Sequence, residues 1–544
     1  MDRGSASSAV PTPEPVAGPR WPGTLAGVTA AGVALGVGQV IEKTTDVPGL
    51  VLAVGELVID YVPGFVARES IENLGSAGKG NLVLGITVTA LLIAGLLGRL
   101  SLTRHIRLGL VGFAGFGILG AWAVARNPQT PTANGIAAGV IAAVAGAATF
   151  AVLIDKARLW AAGSALVGSE EPLEDPRNPA HSRRSFLSWT TGAGAVAITG
   201  YGIGRLGSGT SRAELARANV ALPDPVARSV DRPVLVADGV VQTEAFDVPG
   251  LSPWVTPSDG NSFYRIDTAL SIPQVDPDDW SLSVTGLVDR PLTLRYEDLL
   301  NMDLVEQTIT LSCVSNPIGG DLVGNAVWLG VPLVDVLENA GIQPEASQIV
   351  GRSVDDFTAG FPTSVLADGR NALIAVGMNG EPLPVRHGFP ARLVVAGLYG
   401  YVSATKWLEE IRLTTWESFN GYWINLGWSK EGPMKTASRI DVPANRSTVR
   451  AGRVPIAGVA WAVGRGLREV QVRVDQGPWQ RCDLAVLGSD ETWIQWHTEW
   501  DATPGNHQIE VRAVDANGAI QSAGPRAVAP DGAEGYHQIN VRVS

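Results

Sequence analysis

Cys313 is the residue in this 544-residue sequence best placed to do chemistry. It closes the strand-like run Gln307–Ser312 and opens Val314-Ser315-Asn316-Pro317-Ile318-Gly319-Gly320-Asp321. A cysteine at a strand end, entering a glycine-rich loop, can face a cofactor, and its thiolate is both a nucleophile and a soft metal ligand. The ordinary reading of a single cysteine is an inert packed thiol. That reading suits Cys482, the one other cysteine, which stands near Trp479 beside a predicted strand. Two cysteines exclude a disulfide framework and a four-cysteine zinc or iron–sulfur site. The Cys-x-x-Cys-His signature of attached haem is missing. Of six histidines only His105 borders an apolar span, too few for a haem held between facing helices. No haem or iron–sulfur centre is therefore expected in this chain.

The elements around Cys313 read as a mixed α+β domain. Strand-like runs recur at Trp280–Val284, Gln307–Leu311, Gln348–Val350, Ala372–Val376, Arg392–Val395 and Ile411–Thr414. Helical stretches, Tyr296–Asn301 and Leu333–Ala340, stand between them. Turns such as Val288-Asp289-Arg290-Pro291 and Met378-Asn379-Gly380-Glu381-Pro382 separate them. From Gly432-Pro433 onward the pattern changes. Val470, Val472 and Val474 alternate with Gln471 and Arg473, and Ile509–Ala513 alternates again. Turn pairs at Gly477-Pro478, Pro504-Gly505 and Asn517-Gly518 complete the pattern of an immunoglobulin-like β-sandwich.

The order of motifs in this region resembles the sulfite oxidase family of molybdenum–molybdopterin enzymes. The carriers are Asn261-Ser262-Phe263-Tyr264-Arg265-Ile266-Asp267, Trp280–Gly286, Thr310-Leu311-Ser312-Cys313-Val314-Ser315-Asn316, Trp328–Leu333, Gly377–Pro384, His387-Gly388-Phe389-Pro390-Ala391-Arg392-Leu393-Val394-Val395 and Lys406-Trp407-Leu408. The resemblance implies that Cys313 binds molybdenum beside the two sulfurs of a pterin dithiolene, leaving metal positions for oxo groups and substrate. It implies that His387, Arg392 and Lys406 hold the pterin phosphate, where arginine acts as a fork and lysine as a point charge. Asn261, Tyr264, Ser315 and Asn316 complete the implied cofactor contacts. Arg265 and Tyr422 match positions that face substrate, an arginine for an oxyanion and a phenol for an oxo group. Two bland alternatives stay open: Arg265 bound to pterin or to a carboxylate such as Asp267, and Tyr422 packed in the core. One departure is visible. Sulfite-oxidising members often follow the loop asparagine with arginine, whereas Pro317 follows Asn316 here.

The upstream third is different in kind. Residues 1–210 carry 15 Lys+Arg and 13 Asp+Glu, and residues 211–544 carry 26 and 40, a net charge of −14. That acidity argues against nucleic-acid binding. Trp21–Ile41, Gly80–Gly98, Ile106–Ala125 and Gly135–Ile154 are apolar over about the 20 residues that cross a bilayer. Gly49–Val66 carries Glu56 and Asp60. It reads either as a re-entrant or interfacial segment with both acids at water, or as a site inside the bundle. Arg99, Arg104 and Arg107 mark a cytoplasmic loop. Ser182-Arg183-Arg184-Ser185-Phe186-Leu187 before the weakly apolar Thr190–Gly204 resembles an internal twin-arginine export signal, retained as a last membrane helix.

The expected order is thus a multi-span membrane region over 1–181, a signal-like helix over 182–208, a linker over 209–240, the molybdopterin domain over 241–430 and the sandwich over 431–544. The expected function is a membrane-anchored oxidoreductase of a bacterial cell membrane, its catalytic domain extracytoplasmic. It moves an oxygen atom and two electrons to or from a small oxyanion or sulfur compound, as in sulfite oxidation. The alternatives are a sulfoxide reductase, methionine sulfoxide included, and, from another class, a non-catalytic membrane receptor. Membrane lipid, a small-molecule substrate and a separate cytochrome or quinone-linked electron carrier are the expected partners. The family's sandwich commonly forms a homodimer.

Overall fold

A computed structural model describes residues 19–45, 47–74, 78–128, 130–165, 179–206, 211–229, 234–237, 240–242, 246–259, 262–486 and 489–544. The chain divides into two compact units, Met1–Asp60 with Lys79–Gly209, and Tyr61–Gly78 with Thr210–Ser544.

The first unit is helical. Among the described residues, four helices are long and apolar enough to cross a membrane: α1 (Trp21–Thr45), α4 (Gly78–Thr103), α5 (Ile106–Ala125) and α6 (Thr132–Ala165). Between α1 and α4 lie α2 (Leu50–Tyr61) and α3 (Gly64–Leu74), bent by 114°. A further helix, α7 (Pro179–Leu206), carries Arg183 and Arg184 in its first turns. Small residues let backbones touch: a side chain at Gly23 would strike Gly98, and one at Gly200 would strike Gly36. Trp21 lies edge-on to Trp160 at 4.9 Å and to Phe186 at 6.5 Å. Arg158 donates to the Ser101 carbonyl at 2.7 Å. The start of α1, the end of α4, the C-terminal part of α6 and the start of α7 therefore meet at one end, where the arginines gather. Val47, Ala53 and Leu57 pack instead on Ala123, Val124 and Ala138 at the other end. With 12 residues, α2 is about 18 Å long at 1.5 Å per residue, short of a ~30 Å hydrocarbon core. Glu56 on α2 accepts from Asn127 Nδ2 at 3.2 Å, and Asp60 is exposed.

The second unit contains α3. Gly64 abuts Leu426, Arg68 Nη1 reaches the Gly427 carbonyl at 3.5 Å, and Ile71 packs on the main core. Two sheets build the α+β part. One orders Ala227–Ser229, Val305–Ser312, Val323–Pro332, Ala372–Met378 and Glu381–Pro382, with Arg392–Val395 also paired to Ala372–Met378. The other orders Leu292–Arg295, Ser281–Gly286, Leu408–Thr414, Gln348–Ser353 and Thr358–Pro362. The near-continuous apolar runs Ala372–Met378 and Arg392–Val395 are buried along their whole lengths, as strands covered on both faces must be.

The sandwich follows. Ala437–Val442, Gly452–Trp461 and Ile494–Ala502 lie in one sheet; Leu467–Val474, Gly505–Asp515 and His537–Val543 lie in the other. Val470, Val472, Trp496, Ile509, Val511 and Ile539 fill the space between. The stretch expected as a linker is woven into these sheets. Ala227–Ser229 runs parallel to Val305–Gln307, and Val234–Ala237 pairs with Leu484–Val486 in the sandwich. The α+β part and the sandwich also share one apolar core, in which Trp461, Val463 and Trp493 join Trp254 and Trp328.

Candidate active site

The strands Val305–Ser312 and Val323–Pro332 pair antiparallel with Ser312 opposite Val323, so Cys313 begins the loop that joins them. The loop holds itself in place. The Cys313 N–H donates to the Leu322 carbonyl at 2.9 Å, and the Leu322 N–H donates to Asn316 Oδ1 at 3.0 Å. Cys313 Sγ and Ser315 Oγ share a hydrogen bond of 2.9 Å. Cys313 is 8% exposed, and burial pushes its thiol above the usual range, with Ser315 opposing. A metal must therefore displace a held proton to gain the thiolate.

Two phenols adjoin the thiol, Tyr264 half-buried and Tyr399 buried. Tyr264 is pushed up by burial and by the Cys313 charge, with Arg392 opposing. Tyr399 is pushed up to about 12, first by burial and also by Cys313. Both stay protonated and can donate. Tyr399 was not legible as a site residue; it follows Gly397-Leu398, where Gly397 has φ +75°, and this turn carries it to the loop. Tyr422 stands against other aromatic rings. It starts the short helix Tyr422–Asn425 and packs on Phe357 at 5.9 Å and Trp423 at 5.2 Å.

A cationic cluster adjoins Tyr264. Arg392 is 5% exposed, donates to the His387 carbonyl at 3.0 Å, and lies over the Trp328 ring at 5.0 Å. Burial lowers its pKa to about 10. His387 is 2% exposed. Burial, then Lys406 and Arg392, lower its pKa to about 3, so its ring is neutral at pH 7. Its Nε2 has no hydrogen-bond partner among the described residues. Phe263 meets the His387 ring edge-on at 5.5 Å and the Trp328 ring at 5.9 Å. Gly388, at φ +112°, turns the chain where a side chain would crowd Lys406 and Arg392. Gly388→Ala should lower stability by about 1–3 kcal/mol, the cost of a non-glycine residue in that region, read as a fall in thermal midpoint.

Lys406 is 8% exposed. Its Nζ donates to Asp267 Oδ2 at 2.6 Å and to the Arg386 carbonyl at 3.2 Å. Burial lowers its pKa to about 8, with Asp267 opposing. Arg265 also binds Asp267, through Nε at 2.9 Å and Nη2 at 3.4 Å. The carboxylate contact named for Arg265 is present, and Asp267 joins the site as an anion shared with Lys406. The structure thus gathers Tyr264, Arg265, Cys313, Ser315, Asn316, His387, Arg392 and Lys406. Asn261 lies outside the described residues.

These residues fit a phosphorylated, sulfur-ligated metal cofactor. A buried imidazole nitrogen with no partner, beside a buried guanidinium with no ion pair among the described residues, calls for an anion. A neighbouring thiol with no disulfide can hold a soft metal.

Residues 269–423 match the model of the oxidoreductase molybdopterin binding domain. The chain belongs to the sulfite oxidase family of molybdopterin oxidoreductases. It is 32% identical to the sulfite oxidase of Arabidopsis thaliana over 275 residues, 42% of this chain and 69% of that one. It is 37% identical to the uncharacterized oxidoreductase YuiH of Bacillus subtilis over 154 residues, 28% of this chain and 74% of that one. With the mitochondrial sulfite oxidase of Homo sapiens it shares 29% identity over 350 residues, 54% of this chain and 62% of that one. The chain therefore spans about three-fifths of the human relative's length.

Proposed function

We propose that this chain is a membrane-anchored molybdenum–molybdopterin oxidoreductase that moves an oxygen atom and two electrons at a sulfur centre outside the cytoplasm. The observation that carries the reading is the buried Cys313 thiol beside Tyr264, itself beside the Arg392–His387 pair whose Nε2 lacks a partner. Cys313 would hold the metal, and Arg392, His387 and Lys406 the pterin phosphate. The bound cofactor supplies the oxo chemistry and accepts or gives two electrons. The chain's own work is to keep the phenols of Tyr264 and Tyr399 protonated as donors, to exclude water through Phe263 and Trp328, and to keep cations at the phosphate end. A separate electron carrier, cytochrome or quinone-linked, completes turnover.

Two substrate readings follow from the charges. An oxyanion such as sulfite would be drawn by free guanidinium groups. Here Asp267 binds Arg265, and Pro317 occupies the position after Asn316. This favours the second reading, an uncharged sulfoxide. Steady-state kinetics with sulfite and with methyl sulfoxides separates them. The second reading expects turnover of sulfoxides with a reduced dye and kcat/KM for sulfite at least tenfold lower; the reverse order contradicts it.

The membrane placement rests on charge. Arg99, Arg104, Arg107, Arg158, Arg183 and Arg184 belong to one end of the bundle, which the positive-inside rule makes cytoplasmic. The chain leaves α7 at the opposite end, so residues 211–544 are extracytoplasmic. Segment 61–78 packs with them, which agrees with α2 turning back without crossing. On this reading the N-terminus is cytoplasmic and Arg183-Arg184 act as an internal twin-arginine signal. Reporter fusions at residues 76 and 544 should both report the outside, and one at residue 104 the inside. An inside signal at residue 76 would overturn the re-entrant assignment.

Acid should act through His387. Its folded pKa, about 3, lies below the ordinary 6.5, so between these values the unfolded chain binds the extra proton. Stability present above pH 6.5 is then lost as pH falls toward 3, at up to about 1.4 kcal/mol per pH unit. Thermal midpoints of the cofactor-free protein should drop more steeply with acid in the wild type than in His387→Gln.

A further inference from the structure

We propose that Arg439 and His537, both on the C-terminal sandwich, are positioning residues that hold the Cys313 loop in its metal-binding shape. The proposal rests on Cys313 being the metal ligand for its consequence, but not for its geometry.

The sandwich grips both flanks of the loop. Before it, the Thr310 N–H donates to the Glu491 carbonyl at 2.9 Å, and the Trp493 N–H donates to Thr310 Oγ1 at 2.7 Å. After Cys313, Arg439 Nη1 donates to the Gly320 carbonyl at 2.9 Å. The same guanidinium is fixed from its other edges. Its Nε donates to Asp441 Oδ1 at 2.7 Å and its Nη2 to Ser252 Oγ at 2.8 Å. Asp441 Oδ2 in turn accepts the Ser252 N–H at 3.0 Å. Arg439 and Asp441 are 11% and 9% exposed, so the pair is rigid and shielded from salt.

His537 supports the neighbouring residue. Its Nδ1 accepts the Ile440 N–H at 3.0 Å, which fixes the ring. The ring lies against Gly319, at φ +70°, where any side chain would overlap it. Gly535 likewise meets Ile318. The loop's own bonds, from Asn316 to Leu322 and from Gly320 to Pro317, set its internal shape but not its orientation. The sandwich contacts set that orientation, and with it the direction in which the Cys313 thiol points. A displaced loop swings the thiol, and a misplacement of about 1 Å at a reacting centre can cost on the order of 100-fold.

The test uses the full chain in detergent, without cofactor, and reads alkylation of each cysteine by N-ethylmaleimide in peptide mass spectra. Cys482 reports on general loosening. In Arg439→Gln and in His537→Ala, Cys313 should be alkylated at least tenfold faster than in the wild type while Cys482 keeps its rate. His537→Asn retains an acceptor near Nδ1 and should fall between. Arg473→Gln, which breaks a sandwich ion pair with Glu510 away from the loop, should leave Cys313 unchanged. An unchanged Cys313 rate in both loop variants overturns the proposal. So does a parallel rise at Cys313 and Cys482, which means unfolding rather than a released loop. In the cofactor-loaded protein the same variants should shift the molybdenum(V) paramagnetic resonance g values. A wild type that holds no molybdenum would defeat the family-based function and leave the alkylation result standing by itself.

Discussion

Cys313→Ser is expected to lose turnover by at least about 1,000-fold, on the order of 4 kcal/mol of transition-state stabilisation. The reason is the donor atom. A thiol is soft and yields its proton to a metal, whereas a serine hydroxyl is hard and keeps its proton. The substitution is nearly isosteric at a position that is 8% exposed, so the loop bonds of Asn316 and Leu322 should persist. The residues proposed to hold the phosphate stand on other elements, Arg392 on Arg392–Val395 and His387 at the end of Val385–His387. Pterin should therefore be largely retained while molybdenum falls. Metal analysis and fluorescence of oxidised pterin, run on one preparation, check both halves. Loss of pterin and metal together would mean that the cysteine is needed for assembly of the whole site.

Arg392→Ala should have the opposite signature, with pterin falling to about a tenth of the wild-type content or less. A hydrogen bond to a charged group contributes about 1.5–3 kcal/mol, and a guanidinium can offer two to one phosphate. Arg392 is nearly fully buried, with backbone carbonyls and the Trp328 ring around it. Its removal leaves the His387 carbonyl without that donor and opens a cavity, but also removes a desolvated charge. The thermal midpoint of the cofactor-free protein should then change less than cofactor content does. Arg392→Lys keeps charge without the fork and should recover only part of the pterin. Full pterin content in Arg392→Ala would detach this residue from the phosphate.

The sequence carried much of this site because its signals are local. Strand Arg392–Val395 starts and ends as expected, since the apolar run Leu393–Val395 follows the breakers Gly388 and Pro390. Helix Leu333–Ala340 follows Pro332 and stops at Gly341, φ +75°. Cys313 stands where a strand gives way to a loop of small residues, and the hairpin pairing puts it there. What stayed hidden is non-local. Asp267 joins Lys406 across 139 positions, and no spacing rule pairs them. Tyr399 approaches Cys313 only through strands far apart in sequence, because Arg392–Val395 pairs with Ala372–Met378 in the sheet that also holds Val305–Ser312. The stretch 209–240 looked like a linker because its strands are 3 or 4 residues long, too short to alternate visibly. Its partners, Val305–Gln307 and Leu484–Val486, lie far along the chain. The Gly49–Val66 ambiguity arose from two helices of 12 and 11 residues joined at a sharp bend, which hydropathy alone reads as one segment. The hold of Arg439 on Gly320, 119 positions away, comes from the packing of the sandwich and has no local signal.

The central claim is that the Cys313 site and the Arg392 site together bind one cofactor. The most direct test is quantitative metal and pterin analysis of the purified full-length protein, expressed with molybdate and cofactor supply. About one molybdenum and one pterin per chain is the expected result. A protein that is folded and monodisperse yet contains neither would contradict the account and favour a binding module built on the same fold.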